Sequence, residues 1–461
     1  MAVKRTMKAL LIALATVLVL LIAVGLACTT YESNNVFVED AVYPRDAEEL
    51  NLRDREISIS HYEKLRQLMP DCRILWSVPF QGKRYPDDTE ELKISVLNED
   101  EIPVLHYLPE LKTVDAMDCT NYRVLQKLEA HRPELRVQYQ VKVGENLLPK
   151  TCRTLSFEKD EISREEMEEK IPYLKNLRTI VFKEPEMSAE DLLKLRESFP
   201  EVKISWEKTL FGAALSDDIQ ELDISGMENA DLEEIREKTA YLPSLQKLIM
   251  SDCGFSNETM YDFREEMREH FKVVWTVQIG RMRVRTDETY FMPTKYHQYV
   301  LDREIDNLFY CEDMICIDVG HNPIHHVDWV AGTPHVKYLV VADGPLQDVT
   351  PLSQLKEVLW LELFMTDIRD VKPLLQMTSV EDLNLARVPA DLRPIAEMKW
   401  VKNLWISGGW VRPSTVAYLR ENMPDTYIDA SGHHNCCGRG WRQLQNYYDM
   451  RDVLGMPYFL D

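Results

Sequence analysis

The chain has 461 residues, 45% of them hydrophobic and 28% charged, with only 16 Gly and 23 Pro. That composition excludes a disordered polymer and suits two or three folded domains or one long repeat array. The formal charge is −23, and Lys4, Arg5 and Lys8 are the only charged residues among the first 28, which leaves −26 on the remainder; a body so acidic, with no basic stretch to offset it, is not expected to bind nucleic acid.

Behind that basic flank, residues 9–27 form an unbroken apolar run of 19 residues. As a helix it would rise about 28 Å, close to the roughly 30 Å hydrocarbon core of a bilayer. Positive charge before the run and acid after it predict a cytoplasmic N-terminus, with the body on the extracytoplasmic face of the cell membrane. Three fates of residues 1–28 stay open: an uncleaved signal anchor, a cleaved secretory signal, or a lipoprotein signal. The tetrapeptide Gly25-Leu26-Ala27-Cys28 resembles a bacterial lipobox, which implies lipidation of Cys28, although Gly25 stands where that family usually has Leu. Residues 29–46 read as a stalk.

From residue 47 the chain repeats. "PDCRILWSV", "PELRVQYQV", "PEVKISWEK" and "EHFKVVWTV" align on Trp76, Tyr139, Trp206 and Trp275, which lie 63, 67 and 69 residues apart. Alternation places each aromatic on the same strand face as the aliphatics, as with Val202, Ile204 and Trp206, so these aromatics are predicted to be core. Two further strand-like segments fall inside each large period, for example "RTLSFE" and "LKNLRTIVF". Each unit of about 22 residues is then one short strand followed by a helix or turn. Such a strand cannot bury its leucines alone, and stacking in parallel with the helices outside solves that. About 17 strands are expected over residues 47–430, an arc roughly 80 Å long at about 4.8 Å per strand.

From Met314 the repeat is regular. "MICIDVGHNPI" reads as L-x-x-L-x-L-x-x-N-x-I, and the units that follow start at Val336, Leu355, Val380 and Val401. With its D-I/V-x-P-L phrase at 348–352 and 370–374, this half resembles the internalin-type bacterial leucine-rich repeat. The tail "GRGWRQLQNYYDMRDVLGMPYFLD" resembles that of a group of leucine-rich-repeat surface proteins from Firmicutes. It reads as an amphipathic end-cap with Trp441, Leu444, Tyr447, Tyr448 and Met450 on the covering face. The resemblance implies an α/β fold: a leucine-rich-repeat solenoid, with a curved parallel sheet and outer helices and turns, behind one N-terminal transmembrane or signal helix. The expected divisions are irregular repeats over 47–278, an insertion over 279–313, regular repeats over 314–430 and a cap over 431–461.

Several polar clusters invite a chemical reading. His321, His325, His326, Asp328 and His335 lie close in sequence, but the repeat sends them to different sides of a turn, so they read as surface histidines. His433, His434, Cys436 and Cys437 are denser, yet adjacent cysteines rarely ligate one tetrahedral ion. "LPKTC" (148–152) lacks the Gly and the C-terminal apolar and basic segments of a sortase signal. The nine cysteines form no CxxC pair, and no P-loop, G-x-S-x-G or H-E-x-x-H occurs. No catalytic residue, metal site or cofactor is expected.

In L-x-x-L-x-L the third, fifth and seventh residues face the concave side. That rule nominates Tyr338, Leu359, Leu361, Asn384, Asn403 and Trp405 as binding residues, with an apolar-aromatic centre and a polar rim. Coverage of this face by the insertion or by a second copy is the alternative. The expected function is a membrane-tethered, non-catalytic protein that binds a protein or glycan, with membrane contact through the N-terminal helix or a lipid. A structural envelope spacer and a metal-dependent hydrolase are the competing readings.

Overall fold

The apolar run folds as one helix, Ala2–Asn34. It is long and apolar enough to cross a membrane by length and composition, and none of its Met7–Asn34 stretch is buried against the protein. Its few hydroxyls turn inward to the helix: Thr16 donates to the Ile12 carbonyl at 2.8 Å and Thr29 to that of Leu26 at 3.0 Å. The computed structural model describes residues 2–159, 162–408, 411–431 and 440–458. Beyond the helix the fold is mixed α/β, in two units, Met1–Lys208 and Thr209–Asp461.

In the first unit, short parallel strands stack in register. Leu50 and Leu52 of Glu49–Leu52 sit beside Ile74 and Trp76 of Arg73–Phe80. Leu92, Val114 and Val137 form the next rung, and Leu155, Ile180 and Ile204 the one after. Helices such as Ile59–Leu68 and Ala189–Ser198 connect strands, each started by a serine whose hydroxyl accepts a backbone N–H of the first turn (Ser58 from His61, Ser188 from Asp191). Trp76, Tyr139 and Trp206 are buried, as expected of core aromatics. Tyr62 stacks on Trp76 at 4.1 Å, while Lys150 covers Tyr139 and the Arg196 guanidinium covers Trp206 at 4.2 Å.

Two of these aromatics, Trp76 and Tyr139, mark a second feature that the sequence reading missed. The strand beyond Trp76 folds back at Gln81-Gly82 into Lys83–Pro86, and Gln140–Val143 folds back at Gly144-Glu145 into Asn146–Pro149. Both Gln81 and Gly82 take left-handed backbone angles, at φ 47° and 71°, which is the geometry of a tight two-residue hairpin that follows the strand twist.

The second unit begins with the parallel sheet Glu221–Asp223, Lys247–Ile249 and Lys272–Val274. Trp275 is buried beneath the Arg264 guanidinium, 5.0 Å away, and the hairpin Thr276–Ile279 with Met282–Arg285 follows it. Seven parallel strands come next: Tyr290–Phe291, Cys316–Asp318, Tyr338–Val340, Trp360–Glu362, Asp382–Asn384, Asn403–Trp405 and Tyr427–Asp429. Their middle residues Ile317, Leu339, Leu361, Leu383, Leu404 and Ile428 stack into one buried leucine core. On the far side run short 3-10 turns. Asp348, Asp370 and Asp391 each accept the backbone N–H two residues on, at 2.8, 2.9 and 3.1 Å, which starts the turn that buries Leu352, Leu374 or Ile395. The D-x-x-P phrase therefore occurs a third time, at Asp391.

The strand register corrects one repeat boundary. Val336, Val358, Val380 and Val401 are the equivalent first residues, at even spacings of 22, 22 and 21; Leu355 belongs to the preceding turn. Thr366, not Leu363, then holds the place taken by Asn322. Both are buried and satisfy backbone locally: Asn322 donates to the Val319 and Gly320 carbonyls and accepts from Val300 N–H, and Thr366 donates to the Leu363 carbonyl.

Candidate recognition face

The second face of the seven-stranded sheet carries Cys316, Tyr338, Val340, Trp360, Glu362, Asp382, Asn384, Asn403 and Trp405, in alternation with the leucine core. Tyr338, Asn384, Asn403 and Trp405 are brought together there as the sequence suggested. Leu361 is not: it is buried in the leucine core, and Leu359 is a half-buried residue ahead of the strand. The three-residue error in that repeat, Leu355 for Val358, exchanged the two faces, because strand side chains alternate with period two. With the repeat starting at Val358, Glu362 and Phe364 hold the places assigned to Leu359 and Leu361, and Trp360 stands level with Tyr338.

This face is covered by the chain's own C-terminal segment, with Met292 and Lys295 of the 279–313 stretch at its edge. Residues 440–458 lie across it as a strap containing the helix Gln445–Val453. The tail was expected to cap the end of the array; it packs on the sheet face because that is where the aromatics are. Gly440, at φ 95°, lets the strap approach closely: a Cβ there would stand 3.1 Å from the Trp405 ring. Trp441 then inserts beside Trp360 and Trp405, with ring centroids 3.9 and 5.5 Å away, and its indole N–H donates to Glu362 at 2.8 Å. Five residues on, the Asn446 amide donates to Asp382 at 3.0 Å, while Asn403 holds the other oxygen of the same carboxylate at 2.7 Å. Tyr447 packs against Trp360, and Met450 and Leu454 are buried in the same aromatic cluster. The end is secured by Arg451, which donates twice to the Pro457 carbonyl, and by Lys295, whose ammonium donates to the Leu454 carbonyl at 2.6 Å.

The fit is incomplete. The indole N–H groups of Trp360 and Trp405, the Ser407 hydroxyl and the Tyr447 hydroxyl are buried with no hydrogen-bond partner among the described residues. A buried donor left unmade costs about 1–3 kcal/mol.

Acids dominate the polar part of the face. Burial pushes the Asp318 carboxyl up, opposed by the Gly320 N–H and by His321, Arg451 and Arg442. Burial likewise pushes Asp382 up, opposed by its bonds from Asn403 and Asn446. A carboxyl raised in the folded state binds more protons there than in the unfolded chain. Its contribution therefore favours folding at low pH and turns against it as pH rises from the unfolded value, about 3.9, through the folded one. Asp382→Asn removes that falling contribution, so the variant's thermal midpoint at pH 7 should improve relative to its own midpoint at pH 4 more than the wild type's does. Melts over that range check it, and a change in the opposite sense would mean that the charged carboxylate stabilises the fold.

The histidines do not converge. His321 pairs with Asp343 at 2.7 Å, His325 with Asp302 at 2.8 Å, His335 with Glu357 at 3.0 Å and His326 with Asp328 at 3.3 Å, each on a separate carboxylate. No group of three or more metal-ligating side chains gathers among the described residues. His433, His434, Cys436 and Cys437 lie outside those residues. Cys28 is exposed near the end of the N-terminal helix, and Cys72, Cys119, Cys253, Cys311 and Cys316 are buried free thiols. Burial raises the Cys311 thiol to about 12, well clear of the range in which a thiol is reactive.

No protein-family model matches the chain, and no curated protein matches it. Among solved structures it is similar to an internalin from Listeria monocytogenes, at 14% identity over 77% of this chain and 88% of that one, with a TM-score of 0.28. It is also similar to a leucine-rich-repeat protein of Leptospira interrogans, at 15% identity over 73% of this chain and 93% of that one, with a TM-score of 0.30.

Proposed function

We propose that the protein is an exported, membrane-tethered leucine-rich-repeat solenoid that recognises a protein or glycan and catalyses nothing. The observation that carries this reading is the aromatic and acidic sheet face, which holds a helix through a buried indole and two side-chain hydrogen bonds. A surface of buried aromatics with a hydrogen-bonding margin is what recognition of another chain requires. The exposed apolar helix at the N-terminus, behind Lys4, Arg5 and Lys8, supports a tether that leaves the repeats outside the membrane. Within this reading the binding residues are Tyr338, Asn384, Asn403 and Trp405, joined by Trp360 and Glu362.

The covered face is also what favours a second reading, a structural spacer whose strap is a permanent part of its fold. The test uses the full-length protein in nanodiscs, wild type and Trp441→Ala, on arrays of helical peptides and of glycans. Selective retention of either ligand class supports recognition. Retention of neither, by either form, leaves the spacer.

A further inference from the structure

Recognition through this face rests on the reading just given; the structure also indicates what the partner looks like. We propose that the aromatic and acidic face is a docking site for a helical segment of another polypeptide, and that residues 440–458 are its resident competitor. Three observations point the same way. First, the occupant already seen is a helix, so the face is shaped to a peptide with a helical rise. Second, the groups it presents to the sheet are donors, the Trp441 indole and the Asn446 amide, with Arg451 and Arg442 close enough to act on Asp318. They meet Glu362, Asp382 and Asp318, a row of acids no more than partly exposed. A partner segment would carry an indole, an amide five residues later and a guanidinium five after that. Third, the resident segment leaves the Trp360, Trp405 and Ser407 polar atoms unpaired among the described residues. A partner that offers carbonyl or hydroxyl oxygens at those three points gains hydrogen bonds the strap does not make, which is how an intermolecular ligand outcompetes a tethered one.

The recognition site is therefore present but occupied, and its apparent affinity is lowered by the fraction of copies in which the strap is closed. Trp441→Ala removes the strap's central anchor without touching the sheet. The probe is a synthetic peptide of residues 440–458, added to full-length protein in nanodiscs and followed by calorimetry. The peptide should bind Trp441→Ala on the order of tenfold or more tightly than wild type, the factor expected when the closed form exceeds nine copies in ten. A further Trp360→Ala substitution should abolish that gain. Asn446→Ala provides a milder opening if Trp441→Ala does not fold.

Equal peptide affinity for opened and wild-type protein, with the sheet intact by hydrogen exchange, would overturn the proposal. So would retention of glycans by the opened form with no peptide binding, although general recognition would then survive. Loss of all ligands from both forms would instead remove the recognition reading itself.

Discussion

Trp441→Ala should detach the strap while the leucine core beneath it stays folded. The Trp441 side chain is fully buried, and truncating a buried Trp costs about 3–5 kcal/mol. Near 25 °C that raises the open fraction of the segment by roughly two to three and a half orders of magnitude. Tyr447, Met450 and Leu454 remain as apolar contacts, but Asn446 and Arg451 would no longer be held in register by a neighbouring anchor. Hydrogen exchange reads the result directly: amides hydrogen-bonded within the strap, such as those of Tyr447, Leu454 and Met456, should lose protection. Those of the ladder, such as Leu359 and Trp360 on the Lys337 carbonyl, should keep it. A uniform loss of protection across strap and sheet would show that the two fold as one cooperative element, and the strap would then be no competitor of anything.

Much of this arrangement was legible in the sequence. The apolar run, the parallel strands and the buried aromatics of the large period all follow from charge placement and periodicity. The hairpins at Gln81-Gly82 and Gly144-Glu145 carried a weaker signal, a lone glycine after an alternating strand, and were hidden by the stronger repeat that contains them. The strap's docking place was not legible at all. Its amphipathic pattern announces a covered face, but only tertiary packing decides whether that cover goes to the end of the array or to its sheet. A hint lay in the sheet itself: Tyr338, Val340, Trp360 and Trp405 would make an apolar patch too continuous to leave in water.

The register of a single repeat was misread for a definite reason. In "LKEVLWLELF" the residues Leu355, Val358, Leu359, Trp360, Leu361, Leu363 and Phe364 are all apolar, so both faces of the strand are hydrophobic and alternation disappears. Three substitutions restore the distinction experimentally. Leu361→Ala should destabilise the second unit by about 2–5 kcal/mol, because Leu361 is fully buried between Leu339 and Leu383 and the surrounding rungs cannot collapse into the space. Leu359→Ala, at a half-buried site ahead of the strand, should cost under about 1.5 kcal/mol. Trp360→Ala should behave unlike either, exposing the strap to exchange while the ladder stays protected, since its side chain lies on the strap side with Trp441 and Tyr447. Denaturant melts of the three variants separate these outcomes. Were Leu359→Ala as costly as Leu361→Ala, the repeat would start at Leu355 after all. Trp360 would then turn inward, and the indole pair that holds the strap would have no counterpart on the sheet.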